Sequence, residues 1–140
     1  MKFYNQTYED LFSEIFSDLA KEYNLKIAKK MEDTMYLFSK RFILSIGIFV
    51  AGTSIQYIDL KKRKVYELSD YIVTKTTEKD REGFSPKTII ADIVDTSLRI
   101  RKKSLENNFS DLLSGNSNWF NEYKKSEYFW ELAFRKELLL

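Results

Sequence analysis

Residues 42–60 read FILSIGIFVAGTSIQYIDL, and their alternation describes two extended strands joined by a tight turn. In the first, Phe42, Leu44, Ile46, Ile48 and Val50 share one side of the chain, while Ile43, Ser45, Gly47 and Phe49 share the other. Successive side chains of a strand point to opposite faces, so both faces of this one are largely apolar. Such a strand belongs in the middle of a sheet that is covered, at least in part, on each side. Ala51-Gly52 supplies the turn, and residues 53–60 return with Ile55 and Tyr57 set against Gln56 and Ile58.

The alternation continues in both directions. Upstream, Met35, Leu37 and Ser39 alternate with Tyr36 and Phe38, residues 25–29 predict a short edge strand, and Glu32-Asp33 is the turn between them. Downstream, Lys61-Lys62-Arg63 reads as a charged hairpin tip and Val65-Tyr66-Glu67-Leu68 as a last short strand. Short connections between successive strands predict an antiparallel meander of about four strands. Before it, Tyr8, Leu11, Phe12, Ile15, Phe16, Leu19, Ala20 and Tyr23 recur at helical spacing. Thr7 is the N-cap of that helix, and Asp10, three residues on, answers it. After the meander, residues 74–85 read as an exposed polar loop and Ser85-Pro86 as the start of a helix. Its apolar pattern runs from Ile89 to Leu113, with a break at Asn107-Asn108 and a stop at Gly115. Residues 119–138 predict a final helix. The fold class is therefore α+β: one domain over 1–140, with an N-terminal helix, an antiparallel sheet, and two or three C-terminal helices packed on it.

Composition narrows the chemistry. A chain of 140 residues suits one domain, and 44% hydrophobic content is enough to build a core rather than a disordered tract. The absence of Cys removes disulfides and thiolate ligands; the absence of His removes the commonest general base and the usual zinc ligand. Glycines at 47, 52, 83 and 115 are too scattered for a phosphate-cradling loop. Glu78, Asp80 and Glu82 alternate superficially like calcium ligands, but the Gly turn and the closing bidentate Glu are missing. The expectation is a non-enzymatic protein with no catalytic residue, no cofactor and no metal. The N-terminus lacks a secretory pattern, and the apolar stretch 42–51 is half of the roughly 20 residues a membrane span needs. A cytoplasmic address without membrane contact is expected.

Charge is unevenly distributed. Residues 1–24 hold two basic and five acidic side chains, a net of −3, whereas residues 25–64 hold nine and three, a net of +6. Segregated charge of this kind either solvates the protein's own faces or steers an oppositely charged partner to one of them. On the expected N-terminal helix, Glu14, Asp18 and Glu22 occupy the polar side and form a candidate acidic rim. The 22 aromatic residues are too many for a narrow stripe on the C-terminal segment, which nominates Trp119, Tyr123 and Trp130 as contact residues. A cognate protein or a second copy of the chain, as a homodimer, is the partner these features favour. The alternative is nucleic-acid binding, as in a phage or mobile-element accessory protein. It would use Lys61, Lys62, Arg63 and Lys64 at the tip and Arg99, Arg101, Lys102 and Lys103 on the long helix. Tyr57 and Tyr66 lie close enough in sequence to the tip to stack on bases. A pI near 8.6 is modest for that role.

The stretches LFSKRFILSIGIFV (37–50) and IQYIDLKKRKVYELSDYI (55–72), in an order of helix, meander and helices, resemble small bacterial toxin-immunity proteins. The resemblance implies a bacterial, cofactor-free inhibitor that neutralises a cognate toxin by direct binding. It assigns no individual residue. The basic sheet segment departs from the strongly acidic type that blocks nucleases.

Overall fold

The computed structural model describes residues 7–50 and 52–140, so the N-terminal leader reading and Ala51 of the expected turn lie outside the described residues. Thr7 caps α1 (Tyr8–Glu22) through a reciprocal box: the Asp10 N–H donates to the Thr7 hydroxyl at 3.1 Å. Asn24, at φ 55°, ends the helix, and the Leu25 N–H turns back to the Ala20 carbonyl at 2.8 Å. That reversal feeds the chain directly into the sheet.

The strands are β1 (Lys26–Met31), β2 (Thr34–Phe38), β3 (Phe42–Phe49), β4 (Gly52–Asp59), β5 (Lys64–Glu67) and β6 (Glu131–Leu132). They pair antiparallel in sequence order, a meander of six strands rather than about four. The register sets Ile46 opposite both Met35 and Ile55, in the centre of the sheet. The helices are α2 (Ser69–Lys75), α3 (Glu78–Arg81), α4 (Ile90–Asn108), α5 (Ser110–Leu113) and α6 (Asn118–Lys125). None in the described residues is long and apolar enough to cross a membrane.

One face of the sheet meets the helices. Met35, Leu37, Leu44, Ile46 and Ile55 pack there with Phe12 and Phe16 of α1 and with Leu98 and Leu105 of α4. Each fully buried side chain of this size contributes about 1.5–3 kcal/mol. The other face carries a smaller cluster, Tyr36, Ile43, Ile58 and Val65, covered by Phe134 and Leu138 of the C-terminal tail. The Tyr36 hydroxyl donates to the Leu138 carbonyl at 2.8 Å, and the Lys30 ammonium donates to that of Leu139 at 2.9 Å. The two apolar sides of β3 are thus buried by two different layers.

Three expectations are corrected. The final helix ends at Lys125, not 138. Ser126 stops it by donating its hydroxyl to the Tyr123 carbonyl, and the following residues are drawn to β5 as β6. The excess of aromatics has its reason here, because Phe120 and Phe129 pack in the helix-side core while Phe134 crosses to the opposite face. Second, the helix expected at Ser85-Pro86 begins at Ile90, with no side-chain cap. A start at Pro86 would add a turn carrying Lys87, Thr88 and Ile89, all exposed, so no burial opposes the extended path. Third, the loop expected at 74–85 contains the end of α2 and all of α3.

Candidate partner-binding site

The antiparallel register collects charge. Because the β2–β3 and β4–β5 turns fall at one end of the sheet, Lys40 and Arg41 lie at the same end as the tip residues Lys61, Lys62 and Arg63. The Leu60 N–H donates to the Arg41 carbonyl at 3.1 Å, which ties the two turns together. Lys26, opposite Phe38 at the start of β1, adds a further cation. Most of the cations of the +6 segment therefore lie at one end of the fold, while Lys29 and Lys30 stand farther along β1, beside Glu32 and the Leu139 carbonyl. A groove of about 570 Å³ opens there, lined by Tyr23, Lys26, Phe38, Lys40, Arg41 and Phe42 among others, with no carboxylate in its wall. Gly115 closes one side; a Cβ on it would stand 3.2 Å from the Arg41 guanidinium, and its φ of 81° suits glycine.

The tip itself is exposed and structured. Asp59 accepts the Lys62 N–H at 2.9 Å. The Lys62 ammonium lies over the Phe120 ring, the Arg63 guanidinium over that of Phe134, and Lys64 pairs with Glu131 at 3.5 Å. These contacts hold the cations in place: Lys64 pairs with Glu131, Asp59 is engaged by the Lys62 N–H, and among the described residues the Lys61, Lys62 and Arg63 side chains have no ion pair.

The helical basic group is different. Arg99 bonds Asp95 at 2.6 Å and Glu14 at 3.1 Å, Lys102 pairs with Glu106 at 3.7 Å, and Lys103 sits over Phe84. Arg101 stands apart from these pairs. The candidate acidic rim and the candidate phosphate patch thus partly satisfy each other, through Glu14 and Arg99. Asp18 and Glu22 remain exposed on α1.

The aromatic candidates divide. Tyr123 is fully buried and Trp119 is 7% exposed; both belong to the core, and only Trp130, at 60%, faces solvent. Tyr123 and Trp119 are correspondingly corrected from surface anchors to packing residues: α6 lays them against Tyr57, Tyr66 and Tyr71 in edge and tilted contacts. Nor do the acidic and aromatic groups form one surface. Helix α1 packs on β1 and β2, whereas α6 packs beside α5 and against the rings of β4 and β5.

Tyr57 and Tyr66, expected near the tip as stacking platforms, are also spent internally. Tyr57 stacks on Phe42 at 5.3 Å and meets Trp119 edge-on at 4.9 Å. Burial pushes its hydroxyl well above the ordinary tyrosine range. Asp80 is a polar feature that sequence reasoning placed in a solvated loop. It is fully buried and accepts from Asn107 at 2.7 Å, Asn108 at 2.9 Å and the Thr77 N–H at 2.8 Å. Burial pushes its carboxyl up, but these bonds outweigh it and hold the group below its usual value. The signal that would have revealed it is Thr77 three residues before Asp80, a capping-box spacing.

No family model, no curated protein and no solved structure matches the chain.

Proposed function

We propose that this chain is a non-catalytic binding protein, an immunity-type inhibitor that neutralises a cognate bacterial toxin by direct contact. The observation that carries the reading is the basic end of the sheet. Two turns and the start of β1 place Lys26, Lys40, Arg41, Lys61, Lys62 and Arg63 at one end of the sheet, and Lys26, Lys40 and Arg41 line an open groove there beside Tyr23, Phe38 and Phe42. Cations segregated at one end accelerate encounter with an acidic surface, and aromatic walls give its side chains apolar contact. Trp130 and the Asp18–Glu22 side of α1 are exposed and do not line this groove.

Nucleic-acid binding is the second reading, because the same cations would meet phosphates. A protein partner is favoured because Tyr57 and Tyr66 are packed inside and offer bases no stacking face. Arg99 and Lys102 already hold carboxylates. Co-expression with the toxin-like product of a neighbouring gene tests the proposal: the wild-type chain restores growth, and Arg41→Glu with Lys62→Glu does not. Equal protection by both chains would remove the basic end from the interface.

A further inference from the structure

On the opposite side of α4 from its ion pairs, a second groove of about 450 Å³ runs between the helix and the extended segment that leads into it. Arg101 and Arg81 both line it, together with Lys87. Every other cation in 99–103 has a carboxylate or a ring beside it. Among the described residues the Arg81 and Arg101 side chains have no hydrogen-bond or ion-pair partner, and no carboxylate lines the groove. Burial of Arg101, and then the nearby charge of Arg81, lowers the guanidinium of Arg101 below its ordinary value.

Two like charges are held together here by the local fold. Arg81 is the last residue of α3, and its neighbour Asp80 is locked to Asn107 and Asn108 near the end of α4. That clamp fixes where Arg81 stands relative to the helix. The two cations are thus brought near one another by the fold, and an anion between the two guanidiniums relieves their repulsion. Ser85, Thr96 and Ser97 add hydroxyl donors, while Ile93 and Ile100 supply an apolar floor.

Three cations call for more than a single negative charge. A phosphomonoester carries about −1.5 to −2 at neutral pH and presents three acceptor oxygens, which suits paired guanidiniums better than a carboxylate does. The groove is within the roughly 300–1,000 Å³ range of small-molecule sites. We propose that it binds a small-molecule phosphomonoester, with the phosphate between Arg81, Arg101 and Lys87 and the apolar body against Ile93 and Ile100. This site is separate from the basic end of the sheet and does not depend on the toxin-binding reading.

Phenyl phosphate titrated into the full chain and followed by amide NMR shifts tests it. Saturable shifts confined to residues 81–101 are expected, with affinity at least tenfold tighter than for benzoate or inorganic phosphate. Arg101→Gln and Arg81→Gln should each weaken binding at least tenfold, and Lys62→Gln should leave it unchanged. Arg81 is exposed, so its variant keeps the fold and isolates the charge. Shifts that spread over the surface lysines without saturating, or an unchanged affinity in Arg81→Gln, would overturn the proposal.

Discussion

The Tyr123 hydroxyl donates to the backbone carbonyl of Glu67 at 2.9 Å, and the same oxygen accepts the Trp130 N–H at 3.0 Å. One side chain of α6 thereby fastens β6 to the edge of β5, and the tail that covers the far face follows from β6. Tyr123→Phe keeps the ring and removes the clasp. It should cost about 1–3 kcal/mol, the usual cost of leaving buried polar groups unpaired. Hydrogen exchange at the Trp130 and Glu67 amides should rise more than at amides of β3. Uniform exchange across the sheet would show that the clasp does not hold the tail.

Ile46 lies at the centre of β3 and is fully buried on the helix side. Ile46→Ala should lower stability by about 2–5 kcal/mol through lost transfer energy and the cavity left behind. An unchanged melting temperature would contradict the register of β2, β3 and β4.

The meander was legible in the sequence because its strands alternate cleanly and its turns are short. The first helix was legible because Thr7, Asp10 and an unbroken apolar stripe agree at every level. The C-terminal third was less so. Residues 119–138 contain good helix formers, and nothing local announces that Tyr123 will capture Trp130 and pull the chain into a strand. Pairing of β6 joins residues more than sixty positions apart, a tertiary effect that propensity cannot express. The basic end was half legible. The tip at 61–64 was evident, while Lys26, Lys40 and Arg41 join it only through the register. Aromatic excess was a true anomaly with a different cause: two layers to fill rather than a surface to present.

Asp80 joins α3 to the end of α4 and is ionised below its usual range. A carboxyl whose folded pKa is depressed contributes stability that is fully present above its unfolded value, about 3.9, and lost as pH falls through the lower folded value. Asp80→Asn should therefore cost about 2 kcal/mol or more at pH 7, since four donors, from Asn107, Asn108 and the Thr77 N–H and hydroxyl, lose a charged acceptor. The difference between variant and wild type should shrink below about pH 4. Chemical denaturation at pH 7 and pH 3 measures both; a pH-independent difference would contradict ionised Asp80 as the clasp.

Thr53, opposite Ile48 on β4, buries a hydroxyl that has no hydrogen-bond partner among the described residues. Thr53→Val removes the unsatisfied group at nearly constant volume. It should be neutral or stabilise by about 1 kcal/mol, read as a higher melting temperature. A loss above about 1 kcal/mol would mean that the hydroxyl has a partner in solution.

The basic end of the sheet is most directly tested by affinity capture from the native host. The wild-type chain is compared with a Lys40→Glu, Arg41→Glu, Lys62→Glu variant whose thermal melt matches it. One protein should be retained by the wild type after nuclease treatment and lost from the variant, with affinity reduced by about 2 kcal/mol or more. Equal retention by both chains, or retention of nuclease-sensitive nucleic acid alone, would contradict a protein partner docked on Lys40, Arg41 and Lys62.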